Sequence, residues 1–489
     1  MSLSEPAPEL AVGGPRGEID IPRQKRVFVN RSLRMADVQT IGFDMDYTLA
    51  IYHQAELEQL SIKLTLEKLV QRGYPAEVRD LDYRPEWAIR GLVVDRPNGN
   101  ILKMDRYGHV GRVFHGRRSL TREERTELYR KERIRLRAPR FEWIDTLFAL
   151  PEAVMYLRLV DHFDAVGERR DYSVLWQDVR DSIDEAHRDD SLKSIIRADL
   201  GRFIVVDPDL PAALHRLRSA GRRLFLLTNS LWDYTDAVMR FMLDGKLPAY
   251  TSWRSYFDII IVGGQKPGFF TEGSPFVELD EETGNPISAR PTGLHRGHIY
   301  AGGNITELER MAGVGGDRVL YIGDHIYGDI LRAKKSSVWR TCMVIQELEQ
   351  ELALSERFAD RIRQQDELDR KRRNLEAEID YQQLVLKTLQ KNGENGPVDR
   401  AKRQAKRILD ELRATLREVN ATADRLDAEV DSAYNAWWGP LFKEGNENSR
   451  FGEQVEDYAC LYTSRVSNFL HYSPLRYFRS PRAKMPHEL

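Results

Sequence analysis

The chain is poor in cysteine and in long apolar runs. Its 489 residues include only two cysteines, as expected in a reducing compartment, and Cys342 and Cys460 lie too far apart in sequence to form a zinc-ligand pair. No apolar N-terminal segment is present, and no run approaches the roughly 18 apolar residues of a membrane-spanning helix. The net charge is −2, from 74 basic and 76 acidic residues, so no overall field favours nucleic acid. We therefore expect a cytoplasmic protein with no membrane and no nucleic-acid partner.

Two carboxylates follow an apolar segment near the N-terminus. Residues 38–43 have the pattern of a short buried strand, and Asp44 and Asp46 come directly after it. Open α/β sheets bind ligands at the carboxyl ends of their strands, and positions two apart point the same way. One carboxylate can then attack a phosphorus atom while the other transfers protons. The alternative is a loop in which Asp44 and Thr48 cap a helix.

Three later strand-like segments end in further polar residues. They are residues 222–227 followed by Thr228, Asn229 and Ser230, residues 257–262 followed by Lys266, and residues 318–323 followed by Asp324 and Asp329. Each group alone is compatible with a turn or a solvated loop. Their order resembles the four-motif layout of the haloacid-dehalogenase-like superfamily. The second Asp of the first motif favours phosphate rather than carbon chemistry.

The charge of this predicted site indicates a metal. Asp44, Asp324 and a phosphate would bring several negative charges together, and a hard divalent cation with oxygen ligands balances them. We expect Mg2+ as the cofactor.

Spacing indicates a chain of several parts around an α/β core. About 180 residues separate Thr48 from Thr228, more than a crossover helix requires, so we expect a cap inserted after the first motif. Helical apolar spacing on both sides of residues 392–397 predicts an antiparallel helical hairpin, which is either simply solvent-exposed or a partner-binding coiled coil. The predicted parts are a loose segment at 1–24, a Rossmann-like haloacid-dehalogenase core with a parallel sheet at 25–108 and 196–350, a cap at 109–195, the hairpin at 351–438 and a C-terminal segment at 439–489 that packs on the core or at a subunit interface.

A narrower resemblance covers the chain from about residue 25 onward. Residues 26–33, 43–50, 90–93, 177–181, 321–331 and 485–488 are similar to the cytosolic purine 5′-nucleotidase II family, with a bacterial type of member expected. The resemblance implies that Asp44 is the nucleophile and Asp46 the acid/base, with the Asp46 backbone carbonyl also binding Mg2+. It further implies that Asp324 binds the metal, that Asp329 anchors it indirectly, and that the phosphate is held by Thr228, Asn229, Ser230 and Lys266.

The predicted cap carries the residues for the rest of the substrate. Arg180, Asp184 and His187 share one helical face, where Arg180 and Asp184 could form an ordinary salt bridge. The resemblance instead implies that these three residues, with Phe148 and Lys193, bind a 6-oxopurine base and sugar. We therefore expect IMP and GMP to be preferred to AMP.

The resemblance also implies an ATP-like effector and a homodimer or homotetramer. The matching effector positions are Tyr327, Lys334, Gln454 and Tyr458. Two departures weaken this inference. Asp145 stands where the family has asparagine, and its carboxylate would repel a polyphosphate. The basic stretch before it is shortened, so the family's effector arginine has no secure counterpart in this chain.

The expected reaction is Mg2+-dependent hydrolysis of purine nucleoside 5′-monophosphates through an aspartyl-phosphate. The resemblance adds phosphotransfer to a nucleoside acceptor. Two alternatives remain: a phosphatase of the same mechanism acting on another nucleotide or a sugar phosphate, and a non-catalytic regulatory or scaffold protein.

Overall fold

The centre of the molecule is a mostly parallel sheet. The computed structural model describes residues 21–130, 134, 138–168, 170–271, 273–333, 337–391, 396–481 and 488, so most of the predicted segment 1–24 and residues 485–487 of the family resemblance lie outside it. Within the described residues the sheet has ten strands. Their order is Phe28–Val29, Leu461–Thr463, Arg340–Val344, Val319–Gly323, Thr40–Phe43, Arg223–Leu227, Ile259–Val262, Ile299–Gly302, Phe276–Leu279 and Pro286–Ala289.

The neighbouring strands from Leu461–Thr463 to Ile299–Gly302 run parallel. At the two ends of this set, Phe28–Val29 and Phe276–Leu279 pair antiparallel with it, and Pro286–Ala289 pairs antiparallel with Phe276–Leu279. Parallel strands are buried on both faces, which matches the continuous apolar sequence of Ile259–Val262. The helices of this part are Leu210–Ser219, Trp232–Leu243, Ile305–Ala312, Leu348–Arg357 and Arg450–Tyr458. Together with the inserted cap, this arrangement confirms the expected Rossmann-like haloacid-dehalogenase core.

A smaller antiparallel sheet forms part of the cap. Its strands lie in the order Arg118–Ser119, Val110–His115, Asn100–Met104, Leu92–Asp95 and Phe141–Ile144. Its accompanying helices are Gln54–Gln71, Arg122–Tyr129, Leu150–Ala165, Tyr172–Arg188, Ser191–Ala198 and the short Leu200–Phe203. Gln54–Gln71 packs against Tyr172–Arg188.

The predicted boundary between residues 108 and 109 therefore cuts through the small sheet. Leu92–Asp95 and Asn100–Met104 are buried along their whole length, so their sequence is indistinguishable from that of a central-sheet strand. We propose instead that the cap begins near residue 53, after the short strand Ile51–Tyr52, which pairs with Ile204–Val205 where the chain returns.

The expected helical hairpin is present as Ala359–Lys391 and Gly396–Tyr434. The two helices are antiparallel, with Gln365 Nε2 2.6 Å from Asp427 Oδ1. Their buried seam contains Ile379, Ala405, Leu409, Val419, Ala423, Leu426 and Val430. Although these helices have 33 and 39 residues, no helix in the described part of the chain is both long and apolar enough to cross a membrane.

The C-terminal segment connects the two sheets. The buried ammonium of Lys103, on the small sheet, donates to the carbonyls of Trp438, Pro440 and Lys443 at 2.5–2.7 Å. Further along, Leu461–Thr463 joins the central sheet. The remaining strand pairs are Lys443–Glu444 with Glu447–Asn448 and Leu33–Arg34 with Tyr477–Phe478.

Candidate active site

The predicted core residues converge at one edge of the central sheet. Asp44, Thr228 and Asp324 each follow the last residue of a parallel strand, and these three strands are adjacent. Parallel strands end at the same edge, so residues distant in sequence meet there. Lys266 reaches the same place from the loop after Ile259–Val262.

Lys266 binds two of the carboxylates directly. Its Nζ lies 2.8 Å from Asp44 Oδ1 and 2.7 Å from Asp329 Oδ1, and it donates to the Tyr321 hydroxyl at 3.1 Å. Burial lowers the pKa of Lys266, but Asp329 and Asp44 outweigh it and raise the pKa well above its usual range. Lys266 is therefore a fixed positive charge.

The side-chain amide of Asn229 holds the backbone of Lys266. Asn229 Oδ1 accepts from Lys266 N at 2.6 Å, and Asn229 Nδ2 donates to Lys266 O at 2.9 Å. Asn229 was predicted as a phosphate ligand, whereas its amide here positions the lysine. Thr228, also predicted to hold phosphate, is buried and its hydroxyl accepts from Ser230 N at 3.0 Å.

Both oxygens of Asp46 accept hydrogen bonds. The Tyr52 hydroxyl donates to Oδ1 at 2.5 Å, and Ser230 Oγ donates to Oδ2 at 2.7 Å. The hydroxyls of Tyr52 and Tyr234 lie 3.0 Å apart. Neither tyrosine was predicted, because nothing in the local sequence distinguishes them from core tyrosines. The carboxylate of Asp46 is thereby held in one orientation.

Three carboxylates form a cluster that fits a divalent cation. One oxygen each from Asp44, Asp324 and Asp329 lies within 4.8 Å of the others. Burial, with Asp329 second, raises the pKa of Asp324 to about 7. Asp324 Oδ2 is buried and has no hydrogen-bond partner among the described residues. A buried, unpartnered carboxylate oxygen beside two other carboxylates is a suitable ligand for a hard cation.

The other two carboxylates of this cluster, Asp44 and Asp329, interact with neighbouring groups. Burial raises the pKa of Asp44 well above its usual range, although Lys266 opposes that shift. Asp329 Oδ2 accepts from His325 N at 3.2 Å while its Oδ1 binds Lys266. Arg90, buried and not predicted as a site residue, donates to the backbone carbonyl of Asp324 at 3.1 Å.

A cavity of about 300 Å³ extends from the carboxylates towards the cap. That volume is at the lower end of the range for small-molecule sites. Its apolar wall consists of Leu57, Ile183, Leu192 and Ile196. Phe148, Asp184, His187 and Lys193, all predicted from the sequence, also line it. The cavity thus joins the core motifs to most of the predicted substrate residues.

Phe148 and His187 are two of the aromatic residues that line this cavity. The rings of Phe148 and His187 meet edge to face, with centroids 5.9 Å apart. Burial, followed by Lys193, lowers the pKa of His187 below its usual value, so the imidazole is neutral near pH 7. A neutral ring and a phenyl ring can both pack on a planar base.

Arg180 has a different environment from the one expected. Its Nη1 lies 3.6 Å from Glu152 Oε2 and 3.8 Å from Glu142 Oε2, so its ion-pair partners are glutamates rather than Asp184. Of the predicted base and sugar residues, all within the described part of the chain, only Arg180 is absent from the cavity lining. Arg180 therefore supports the cavity wall from behind.

Glu152 also lines the cavity, although it was not predicted from the sequence as a site residue. Burial raises its pKa to about 8 even though Arg180 opposes the shift. Its Oε2 accepts no hydrogen bond from any described residue. The sequence did contain a signal for it, because Glu152 is a carboxylate in the apolar helix Leu150–Ala165. A buried carboxylate is unusual unless it has a function or a partner.

Lys193 lies close to the core residue Ser230. Its Nζ is 3.4 Å from Ser230 Oγ and 5.0 Å from the centre of the Tyr234 ring. Since Ser230 also donates to Asp46, Lys193 lies beside the core carboxylates as well as in the cavity lining.

The predicted effector residues lie on neighbouring elements. Tyr327 is exposed and stacks with Arg332, whose guanidinium carbon is 4.7 Å from the ring centre. Gln454 and Tyr458 lie on Arg450–Tyr458, which packs against the turn Ile326–Leu331. Lys334 lies outside the described residues.

Asp145, which stands where the family has asparagine, pairs with a histidine in the structure. Asp145 Oδ2 lies 3.1 Å from His325 Nε2. Burial lowers the pKa of His325, but Asp145 outweighs it and raises the pKa to about 9. The extra carboxylate therefore connects the cap to the loop that carries Asp324.

The sequence is similar to those of 5′-nucleotidase proteins. Residues 27–489 of this chain match the sequence pattern of the 5′ nucleotidase family. The 5′-nucleotidase domain-containing protein 2 of Rattus norvegicus is 30% identical over 479 residues, covering 94% of this chain and 80% of the rat protein. The protein of the same name in Homo sapiens is 30% identical over 475 residues, covering 94% and 85%.

Among solved structures, a predicted phosphoglycolate phosphatase from Haemophilus somnus aligns with a TM-score of 0.28 and 12% identity, covering 63% of this chain and 86% of that one. A similarity at that level supports no conclusion about function.

Proposed function

The chain belongs to the 5′ nucleotidase family, and on that premise we propose that it hydrolyses purine nucleoside 5′-monophosphates through a phosphorylated Asp44, with Mg2+ held by the carboxylate cluster. Family membership supports hydrolysis of nucleotide phosphomonoesters. The preference for a purine, the use of Mg2+ and the covalent intermediate are additions of our proposal to what family membership supports. The observation that carries the proposal is Lys266 bound between Asp44 and Asp329 in the lining of a cavity of about 300 Å³.

In the first step, a carboxylate oxygen of Asp44 attacks phosphorus while the bond from phosphorus to the nucleoside O5′ breaks. Lys266 stabilises the negative charge that grows on the transferring oxygens. Asp46, oriented by Tyr52 and Ser230, gives a proton to the leaving O5′.

In the second step, Asp46 takes a proton from water as the water oxygen attacks phosphorus, which releases phosphate and restores the Asp44 carboxylate. Asp44, Asp324 and the backbone carbonyl of Asp46 would hold Mg2+, with Asp329 supporting the site. When bound, Mg2+ would neutralise the carboxylates and polarise the phosphate. A nucleoside hydroxyl in place of water would give phosphotransfer.

The cap end of the cavity supports selection of a 6-oxopurine. Asp184 can accept a hydrogen bond from the ring N–H of hypoxanthine or guanine, and Glu152 can accept one from the guanine 2-amino group. Adenine presents an unprotonated ring nitrogen at the same position, which would leave the Asp184 carboxylate facing a lone pair.

Replacing the nucleophile tests the chemistry. Asp44→Asn should lower kcat for IMP on the order of a thousandfold or more, because an amide cannot form the phosphorylated intermediate. The measurements are phosphate release and acid-trapped phosphoprotein, with Asp37→Asn, an exposed aspartate, as the control. Undiminished turnover in Asp44→Asn would contradict the mechanism.

A substrate panel tests the base assignment. With Mg2+, kcat/KM for IMP and GMP should exceed that for AMP by about 10–100-fold, since AMP would place a ring lone pair, instead of an N–H, against the Asp184 carboxylate. UMP and sugar phosphates serve as comparison substrates, EDTA as the metal control and added inosine as the phosphotransfer acceptor. Equal efficiency on AMP would refute the proposed purine preference.

The same assay with ATP tests activation through Tyr327, Gln454 and Tyr458. An unchanged rate and KM would remove that hypothesis. The cytoplasmic location and the dimer or tetramer stay predictions.

A further inference from the structure

A second large cavity lies on the cap. It is formed by the turn at residues 107–111 and by Arg122, Arg125, Thr126, Tyr129 and Arg130, and its volume is about 760 Å³. We call it the arginine groove. It shares no residue with the cavity that contains Asp44 or with the predicted effector positions. We propose that the arginine groove binds a multivalent phosphate anion of the nucleoside di- or triphosphate class.

The charge of the groove has one sign. Within the described part of the chain, which omits residues 131–133 next to Arg130, three arginines line it and none of the ten lining residues carries a carboxylate. This is unusual in a chain whose basic and acidic residues number 74 and 76. A concave surface of one sign concentrates ions of the opposite sign.

The nearby acidic residues are committed elsewhere. Asp105 Oδ1 accepts from the backbone N–H groups of Tyr107 and His109, at 2.9 Å each. Glu124 binds Arg118 and caps its own helix by accepting from Thr121 N at 2.8 Å. These two acids therefore bind local backbone or another arginine, and Glu444, whose carboxylate lies against Gly111, pairs with Lys103 and Arg112.

The helix Arg122–Tyr129 separates its charges by face. Arg122, Arg125 and Tyr129 follow one another at spacings of three and four, which places them on one side. Glu124 and Glu127 line a different cavity on the other side. The Nε of Arg125 is buried and has no acceptor within the described part of the chain. A buried guanidinium N–H without an acceptor indicates a missing anionic partner.

An aromatic ring stands at the rim. Tyr107 is 69% exposed, although a tyrosine ring of this size is ordinarily covered, and the guanidinium of Arg106 lies 5.8 Å from its centre. A purine could stack on this ring while its phosphates meet the arginines, whose planar forks bind phosphate in pairs of hydrogen bonds. This combination favours a nucleotide polyphosphate over a simple anion.

Isothermal titration calorimetry on the full chain tests the proposal, with sodium tripolyphosphate and ATP as separate probes. The double variant Arg122→Gln/Arg125→Gln should bind both at least about tenfold more weakly than the wild type, the loss expected for one charged contact. The control Arg117→Gln/Arg118→Gln removes the same charge outside the groove and should bind as the wild type. Circular dichroism checks that all variants fold.

Tyr107→Ala should weaken the binding of ATP and leave that of tripolyphosphate unchanged, because only the nucleotide has a base to stack. The proposal is overturned if the wild type does not bind tripolyphosphate. It is overturned as well if the control Arg117→Gln/Arg118→Gln loses as much affinity for tripolyphosphate as Arg122→Gln/Arg125→Gln does. It is also overturned if Tyr327→Ala loses ATP while the groove variant keeps it, which would place the site at Tyr327. None of these measurements depends on phosphatase activity.

Discussion

At the scale of single residues, Lys266 is the one cation among the described residues that is seen to contact carboxylates of the three-aspartate cluster. Lys266 contacts Asp44 and Asp329 directly, so it acts on the charge of Asp324 only from a greater distance. Arg90 comes close, but its contact is with the backbone carbonyl of Asp324. This imbalance is the physical reason to expect a bound metal, since unpaired buried carboxylates otherwise take up protons.

Glu152 gives a prediction about pH. Its pKa of about 8 means that its carboxylate forms as the pH rises through that value, and only guanine has a 2-amino group to donate to it. The ratio of KM for GMP to KM for IMP should therefore fall, by up to about tenfold, between about pH 7 and about pH 9. A ratio cancels the titration of Asp44, which both substrates share.

Glu152→Gln should make that ratio independent of pH. Glu142→Gln is the matched control, because Glu142 also pairs with Arg180 but does not line the cavity. The charged groups that act on Glu152 are Arg180, Asp184, Glu142 and Asp145. A Glu152→Gln enzyme that keeps the pH dependence would contradict this prediction.

At the scale of elements, the site depends on close spacing between strands. Gly42 in Thr40–Phe43 faces Phe225 in the neighbouring strand, and a Cβ at position 42 would lie 2.1 Å from the Phe225 ring. The strand that carries the nucleophile therefore requires glycine two residues before Asp44.

Gly42→Ala should destabilise the protein by about 1–3 kcal/mol, because the methyl group overpacks a rigid core. The free energy of unfolding in urea measures the effect. Gly201→Ala is the control, since a Cβ there meets nothing within 4 Å, and it should be neutral or slightly stabilising. Equal stability of both variants would contradict the spacing argument.

The strand ends were predictable from sequence, whereas their partners were not. Asp44, Thr228, Lys266 and Asp324 each follow an apolar run, and an apolar run followed by a polar residue is a local signal. Tyr234, by contrast, meets Tyr52 across 182 residues, and no local pattern encodes that distance. The boundary at residue 108 was wrongly placed for a related reason, because a fully buried antiparallel strand has the composition of a parallel one.

At the scale of the whole molecule, the cap is attached to the core at several points. Lys103 binds three carbonyls of the C-terminal segment, and Asp145 binds His325 beside the carboxylate cluster. The cap is also continuous with the core through the pairing of Ile51–Tyr52 with Ile204–Val205. These contacts favour a cavity that is formed before substrate arrives, which lowers the entropy lost on binding.

The central sheet also has a consequence for biosynthesis. The strand Thr40–Phe43 is translated early, but its two neighbours follow it by roughly 180 and 280 residues, and Phe28 pairs with Tyr462 near the other end of the chain. During translation the first motif therefore emerges long before anything can pair with it. Such long-range pairing folds slowly and leaves apolar strands exposed, so the nascent chain has a long interval in which to aggregate or to engage a chaperone.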